Sequence, residues 1–204
     1  MLLVTAVIIS YLLGSVSFSM IIAKKLRKVD IRQHGSGNAG ATNTLRVLGI
    51  GPAVTVLLLD CFKGVAAVWL GLGLTGGDPL AAGAAGLASI IGHNWPVYYG
   101  FRGGKGVATT IGVLATLVFW QALIAGIAAI AAIAVTRYVS LGSLIFIAGT
   151  TALTLFMISD NTYLYILLII TALSFWRHRT NISRLVSGNE SRIGEKAGSG
   201  GKGN

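Results

Sequence analysis

The chain has 204 residues, 54% of them hydrophobic and 11% charged, whereas soluble globular domains carry about a quarter charged. That balance excludes an ordinary soluble fold and points to a polytopic membrane protein. The formal net charge of +10 would suggest nucleic acid in a soluble chain, but here Lys and Arg fall in the connections between apolar segments, where they set orientation. No nucleic-acid partner is expected.

Leu2 to Ala23 comes first, with about the ~20 residues needed to cross a hydrocarbon core. A secretory signal peptide would begin with positive charge and end at a small-residue cleavage site. This segment has no basic residue before it and Lys24, Lys25, Arg27 and Lys28 after it, so a retained span with its amino terminus outside is expected. After a polar loop, a second span runs from about Ile50 to Leu74, interrupted by Asp60 and Lys63. Three residues apart, these share a helix face and can neutralise each other away from lipid. A turn at Gly76-Gly77-Asp78-Pro79 precedes a third span, about Leu80 to Tyr99. Cys61 is the only cysteine, so no disulfide or Cys-based metal site is available. His34, His93 and His178 lie far apart, without the i, i+4 pairing of a metalloprotease helix. Neither a metal nor a cofactor is expected.

Beyond a loop at Gly100 to Gly106, Val107 to Val135 is apolar without a break. As one helix it would be about 43 Å long against a core of about 30 Å. The last spans are Leu141 to Ser159 and about Asn161 to Phe175, followed by a basic tail with Arg177, Arg179, Arg184 and Arg192. A single helix over Val107 to Val135 would put this tail across the membrane from the basic Lys24 to Arg46 loop, against the positive-inside rule. A fold-back near Phe119-Trp120-Gln121 makes every strongly basic connection cytoplasmic and leaves Asp78 and Asp160, but no Lys or Arg, in the outer turns. The expected architecture is an all-α membrane bundle of seven transmembrane helices, amino terminus outside and carboxyl terminus cytoplasmic. Residues 1–195 form one integral membrane domain, and the Gly-rich 196–204 reads as a disordered tail or a cloning scar. No internal repeat is evident, which weighs against a transporter built from two related halves.

Three cytoplasmic segments carry the chemistry. In the first, Arg32 to Arg46, a G-x-G-x-x-G match at Gly35, Gly37 and Gly40 has no preceding strand, so it is not a dinucleotide fingerprint. Its glycines nonetheless let backbone amides converge on an anion, Ser36, Asn38, Thr42 and Asn43 add donors, and Arg46 adds a forked permanent charge. A loop of small residues for close helix packing is the plain alternative, and it does not require this density of amide and hydroxyl groups. In the second segment, His93 to Thr110, Gly103-Gly104-Lys105-Gly106 opens into a helix whose free amides and dipole attract anions, and Lys105 adds a point charge. A Walker A loop would need Ser or Thr where Gly106 stands and Gly where Tyr99 stands, so no NTPase loop is present. The plain alternatives are a positive-inside anchor for Lys105 and a helix-to-helix hydrogen bond for His93. In the third, Arg177 to Glu190, His178 and Asn181 share a helix face with Arg177 and Arg184 adjoining. A juxtamembrane helix that merely touches anionic headgroups would need neither the His nor the Asn. Near Arg137, Ser140 suits a helix N-cap and Ser143 would face inward one turn later.

The segments GSGNAGATNTLR, DCFKG, GHNWPVYYGFRGGKGVAT and RHRTNISRLVSGNE, in this order and between these spans, resemble the acyl-phosphate:glycerol-3-phosphate acyltransferases of bacterial inner membranes. The resemblance covers residues 1 to 195. One departure is Gly14-Ser15-Val16-Ser17, where the family usually has Gly-Ser-x-Pro, and it puts a helix kink in doubt.

The resemblance implies transfer of a fatty acyl group from acyl phosphate to the 1-hydroxyl of glycerol 3-phosphate, giving lysophosphatidic acid and phosphate in phospholipid biosynthesis. It places the enzyme as a multi-pass protein with its active site at the cytoplasmic face of the inner membrane. Acyl phosphate, glycerol 3-phosphate, membrane lipid and a soluble enzyme that makes the acyl phosphate are the implied partners. The residues answer this independently, with two Gly-rich anion sites and several fixed cations for two phosphate-bearing substrates. The His-x4-Asp of other glycerolipid acyltransferases is missing, since Ala39, Tyr98 and Ser183 stand five residues after the three histidines. No G-x-S-x-G elbow occurs either, so direct transfer without an acyl-enzyme is expected. Lys105, Ser36 and the amides of Gly103, Gly104 and Gly106 are expected at the acyl phosphate. Arg46, Asn38, Thr42, Asn43, His178 and Asn181 are expected at glycerol 3-phosphate, and the two sets are interchangeable. Gly37, Thr109 and Ser143 complete the expected binding residues. The proton of the attacking hydroxyl goes either to His178 or to the donor's own phosphate. The competing function, a transporter or binding protein for a phosphorylated solute or lipid, needs a polar path outward, which the spans offer only at Asp60 and Lys63.

Overall fold

The computed structural model describes residues 1–157 and 162–194. Among them every regular element is helical. The expected outer turn at Asp160 and the tail 196–204 lie outside the described residues.

The first span is divided into α1 (Leu2–Ser15) and α2 (Phe18–Arg27), with Val16 and Ser17 extended (φ −67°, ψ 112° and φ −98°, ψ 99°). The break therefore exists without a proline. What sustains it lies elsewhere in the chain: the freed carbonyl of Val16 accepts from the Lys63 ammonium at 2.8 Å, so a cation sits at the negative end of α1. A short α3 (Ala41–Leu48) turns at Gly49 (φ 91°) into α4 (Ile50–Thr75). Gly76 ends α4 in the left-handed conformation, the usual helix stop. The Asp78 side chain caps the start of α5 (Pro79–Asn94), with Pro79 in its first turn, as these residue types favour.

The long apolar stretch divides at Val118 (φ −142°, ψ 64°) into α6 (Val107–Leu117) and α7 (Phe119–Thr136), one residue before the expected turn. Then follow α8 (Val139–Met157), α9 (Leu164–Arg177) and α10 (Arg179–Val186). Among the described residues, four stretches are long and apolar enough to cross a membrane, Leu2–Arg27, Ile50–Thr75, Phe119–Thr136 and Val139–Met157. On α4, Leu58, Phe62 and Trp69 are exposed while Asp60 and Lys63 are each 1% exposed and paired at 2.8 Å. A membrane helix turned this way offers lipid its apolar side and hides its charges.

Between helices in lipid, packing has to replace the hydrophobic drive available in water, and small residues let backbones approach. A Cβ on Gly64 would overlap the Thr109 carbonyl, and one on Gly112 would overlap that of Cys61, so α4 and α6 meet backbone to backbone. The connections then gather at one end of the bundle. Arg32, between α2 and α3, donates to Tyr99 O at 2.9 Å and to Arg102 O at 3.3 Å, both between α5 and α6. Ser140 at the start of α8 donates to Glu190 at 2.8 Å. Arg137 and Ile193 exchange hydrogen bonds at 2.8 and 2.7 Å.

Candidate active site

The first loop is shaped from within. Gly35 and Gly37 take left-handed φ of 61° and 72°, which turn the chain back on itself at little steric cost. Asn43, fully buried in the first turn of α3, fills the concavity. Its amide donates to Ile31 O (3.1 Å) and His34 O (2.9 Å), and its carbonyl accepts from Ser36 N (2.8 Å). Asn43 was expected to contact substrate, but both of its amide hydrogens are held by the loop, so it acts as the clip that fixes Ser36 and Gly37. Those two are exposed, while Asn38, Thr42 and Arg46 are half-buried. Asp30 receives the Arg32 guanidinium (2.8 Å), which holds its carboxyl below the usual range and aims Arg32 at the second loop. A groove of about 370 Å³ opens between the loops, lined by Asp30, Arg32, Gln33, Gly37, Arg102 and Gly103.

In the second loop, the Gly103 and Gly104 amides are already taken: they donate to Asn94 O and His93 O, each at 3.2 Å. The expectation that the Gly103, Gly104 and Gly106 amides face an anion is corrected for the first two, because the end of α5 needs these donors for its own carbonyls. From Lys105 onward, the amides of Lys105, Gly106 and the first turn of α6 have no partner among the described residues. Gly106 has φ 78° and would bring a Cβ to 2.9 Å from Asn94 Oδ1, so the tight entry into α6 depends on glycine. Thr109 is fully buried and its hydroxyl has no partner among the described residues. Arg177 donates to Gly104 O and lies 5.2 Å over the Trp95 ring, which ties the loop to α9.

The third segment supplies the opposite wall. His178, 2% exposed, joins α9 to α10. Its Nδ1 lies 2.8 Å from Ser174 O; a carbonyl can only accept, so the proton is on Nδ1 and Nε2 keeps the lone pair. Burial, with the Lys105 charge adding, brings His178 down to about 4, leaving it neutral. The Lys105 ammonium donates to Asn181 Oδ1, and Asn181 Nδ2 donates to Glu190 at 2.6 Å. Burial brings Lys105 down to about 8; Glu190 opposes this, and the cations of Arg184, Arg177 and Arg46 reinforce it.

Glu190 was not among the expected site residues. Burial alone would raise its carboxyl, but hydrogen bonds from Arg184 (2.8 Å), Asn181 and Ser140 keep it below the usual range. It fixes Asn181, and through Asn181 the position of Lys105. The one sequence signal was its place as the only acid between Arg177 and Arg192. Ser140, expected as an N-cap, bonds Glu190 instead, and α8 already begins at Val139. Ser143 donates back to Val139 O at 2.8 Å. Lys105, His178 and Asn181 thus come together, with Arg46 near enough to act on the Lys105 charge. Asn43 and Ser143 have other hydrogen bonds to make.

The family model for glycerol-3-phosphate acyltransferase matches residues 4–188. The chain is 65% identical over 196 residues to the glycerol-3-phosphate acyltransferase of Halalkalibacterium halodurans, covering 93% of this chain and 95% of that protein. It is 46% identical to that of Thermoanaerobacter pseudethanolicus, covering 95% and 96%. Among solved structures it matches PlsY (YgiH), an integral membrane glycerol 3-phosphate acyltransferase, in its glycerol 3-phosphate form, with TM-score 0.88, 40% identity and coverage of 94% and 96%. The lysophosphatidic acid form of PlsY gives TM-score 0.86 at 39% identity, covering 94% and 95%.

Proposed function

The chain belongs to the glycerol-3-phosphate acyltransferase family, and from that premise we infer that it moves a fatty acyl group from acyl phosphate to the 1-hydroxyl of glycerol 3-phosphate, giving lysophosphatidic acid and inorganic phosphate in phospholipid biosynthesis. The observation that carries the reading is the Lys105–Asn181 contact beside His178, which makes one cationic pocket from segments 76 residues apart. Lys105, Ser36 and the amides of Gly106 and the first turn of α6 hold the donor phosphate. Arg46, Asn38, Thr42, Asn181 and His178 orient glycerol 3-phosphate. The hydroxyl oxygen attacks the acyl carbonyl, the bond from acyl carbon to phosphate oxygen breaks, and phosphate leaves with its electron pair. At a pKa of about 4, His178 is too weak a base to take the hydroxyl proton at neutral pH, and its Nε2 lone pair serves to aim that hydroxyl. The proton passes to the departing phosphate, whose oxygen becomes strongly basic as its bond to the acyl carbon breaks. Alignment of two bound reactants and stabilisation of charge at the phosphate supply the rate.

The enzyme is a seven-span protein of the bacterial inner membrane, amino terminus outside, with the pocket at the cytoplasmic face. In support, the chain returns to one end of the bundle after each pair of helices, α4–α5, α6–α7 and α8–α9. Single cysteines at Asp78 and Arg179 test this: the first should react with an impermeant thiol reagent in intact cells and the second only after permeabilisation. Labelling of position 179 from outside would overturn the topology. Residues 1–195 act as a single catalytic domain, and a soluble enzyme that makes acyl phosphate is the partner that supplies the donor.

Purified protein given acyl phosphate and radiolabelled glycerol 3-phosphate should form lysophosphatidic acid, and a chain ending at residue 195 should match it. Absence of product would defeat the reading, and equal rates with acyl-CoA would defeat the choice of donor.

A further inference from the structure

Asp60, Lys63 and His93 form a buried cluster, respectively 1%, 1% and 5% exposed, that the mechanism above does not use. Charges inside a membrane protein are costly unless paired, and they mark function more often than packing. Lys63 Nζ lies 2.8 Å from Asp60 Oδ1, 2.8 Å from Val16 O and 3.0 Å from His93 Nδ1. An ammonium has hydrogens and no lone pair, so Nδ1 must accept and the His93 proton must sit on Nε2. Asp60 does not compete for Nδ1, because its oxygen is 3.7 Å away.

The Nε2 edge of the ring faces the seam between the two glycine loops. A Cβ on Gly104 would overlap both His93 Nε2 and Ala39 O, so only a residue without a side chain lets the second loop pack against this N–H at the seam. Within the described residues Nε2 makes no hydrogen bond.

We propose that His93 is a further substrate-contacting residue, its Nε2–H donating to a phosphoryl oxygen bound at the seam, and that Lys63 and Asp60 are positioning residues that fix the imidazole in this tautomer. This rests on the acyltransferase reading. The oxygen belongs to acyl phosphate or to glycerol 3-phosphate; both present the same chemistry, and kinetics with each substrate varied in turn tells them apart.

Two substitutions separate the N–H from the bulk of the ring. His93→Gln carries an amide N–H to about the position of Nε2. His93→Asn keeps an acceptor for Lys63 near Nδ1 but ends short of Gly104. Glutamine should retain kcat/KM within about three-fold of the parent, while asparagine should lose about 10- to 150-fold, the range of a hydrogen bond to a charged oxygen. The loss should appear with the substrate whose phosphate is held, at a melting temperature close to the parent's. Equal kcat/KM in the two variants would overturn the proposal.

Imidazole nitrogen NMR of the unsubstituted protein, with inorganic phosphate as the probe, gives a second test that needs no turnover. His93 should be in the Nε2–H tautomer with its proton resonance moved by phosphate, and Lys63→Met should shift the ring towards the Nδ1–H tautomer and lower kcat/KM as asparagine does. An Nδ1–H tautomer in the parent, or no response to phosphate, would overturn the contact. Failure of the parent to make lysophosphatidic acid would instead defeat the acyltransferase reading, leaving the phosphate response to be judged separately.

Discussion

Lys105 has a charge that depends on its surroundings. Burial brings its ammonium down to about 8, whereas an ordinary lysine stays charged to about 10. Above its folded pKa the side chain is neutral and loses its pull on a phosphate, so kcat/KM for acyl phosphate, which reports the free enzyme, should fall as pH rises from about 7 to 9. Lys105→Arg, charged throughout, should not show that fall, whatever its absolute rate. A flat profile in the parent would contradict the assignment. Residue type was enough to nominate Lys105, His178 and Asn181, because a cation among glycines and a His three before an Asn have few other uses in a basic connection. It could not separate Asn38 from Asn43. The two have the same amide in the same loop, and only the fold shows that Asn43 donates to Ile31 O and His34 O. Glu190 was passed over because a single acid among arginines reads as a neutraliser until three donors are seen to converge on it.

Among elements, the division of Val107 to Val135 was legible from length and charge together, since a straight helix of that length overshoots the bilayer core and a single span would put the basic tail across the membrane from the Lys24 to Arg46 loop. The interruption at Val16 and Ser17 was not. Without a proline, the local sequence gives no reason for it, and the group that answers the freed carbonyl, Lys63, is 47 residues away. Backbone contact between helices was also hidden, because an apolar helix shows many glycines and does not say which of them face a neighbour. Gly112 does: a side chain there meets the Cys61 backbone, whereas Gly73 has nothing within 4 Å. Gly112→Val should lower the melting temperature, costing at least the ~1–3 kcal/mol typical of overpacking, while Gly73→Val should stay close to the parent. Equal melting temperatures would show that α4 and α6 do not meet as described.

Across the whole molecule, the helices return three separate connections and the C-terminal segment to one end, where Arg32, Arg177 and Glu190, the last through Ser140, lock them to each other. Their convergence was foreshadowed by the charge pattern, because the positive-inside rule puts basic connections on one side. The contacts within the end were beyond it. The central claim is that this end binds both reactants at once and transfers the acyl group directly, with no acyl-enzyme. The most direct measurement is the release of phosphate from acyl phosphate labelled in its phosphate, with glycerol 3-phosphate withheld. The account predicts no burst of labelled phosphate equal to the enzyme present, and rapid release once glycerol 3-phosphate is added. A burst stoichiometric with enzyme in its absence would reveal an acyl-enzyme and contradict direct transfer.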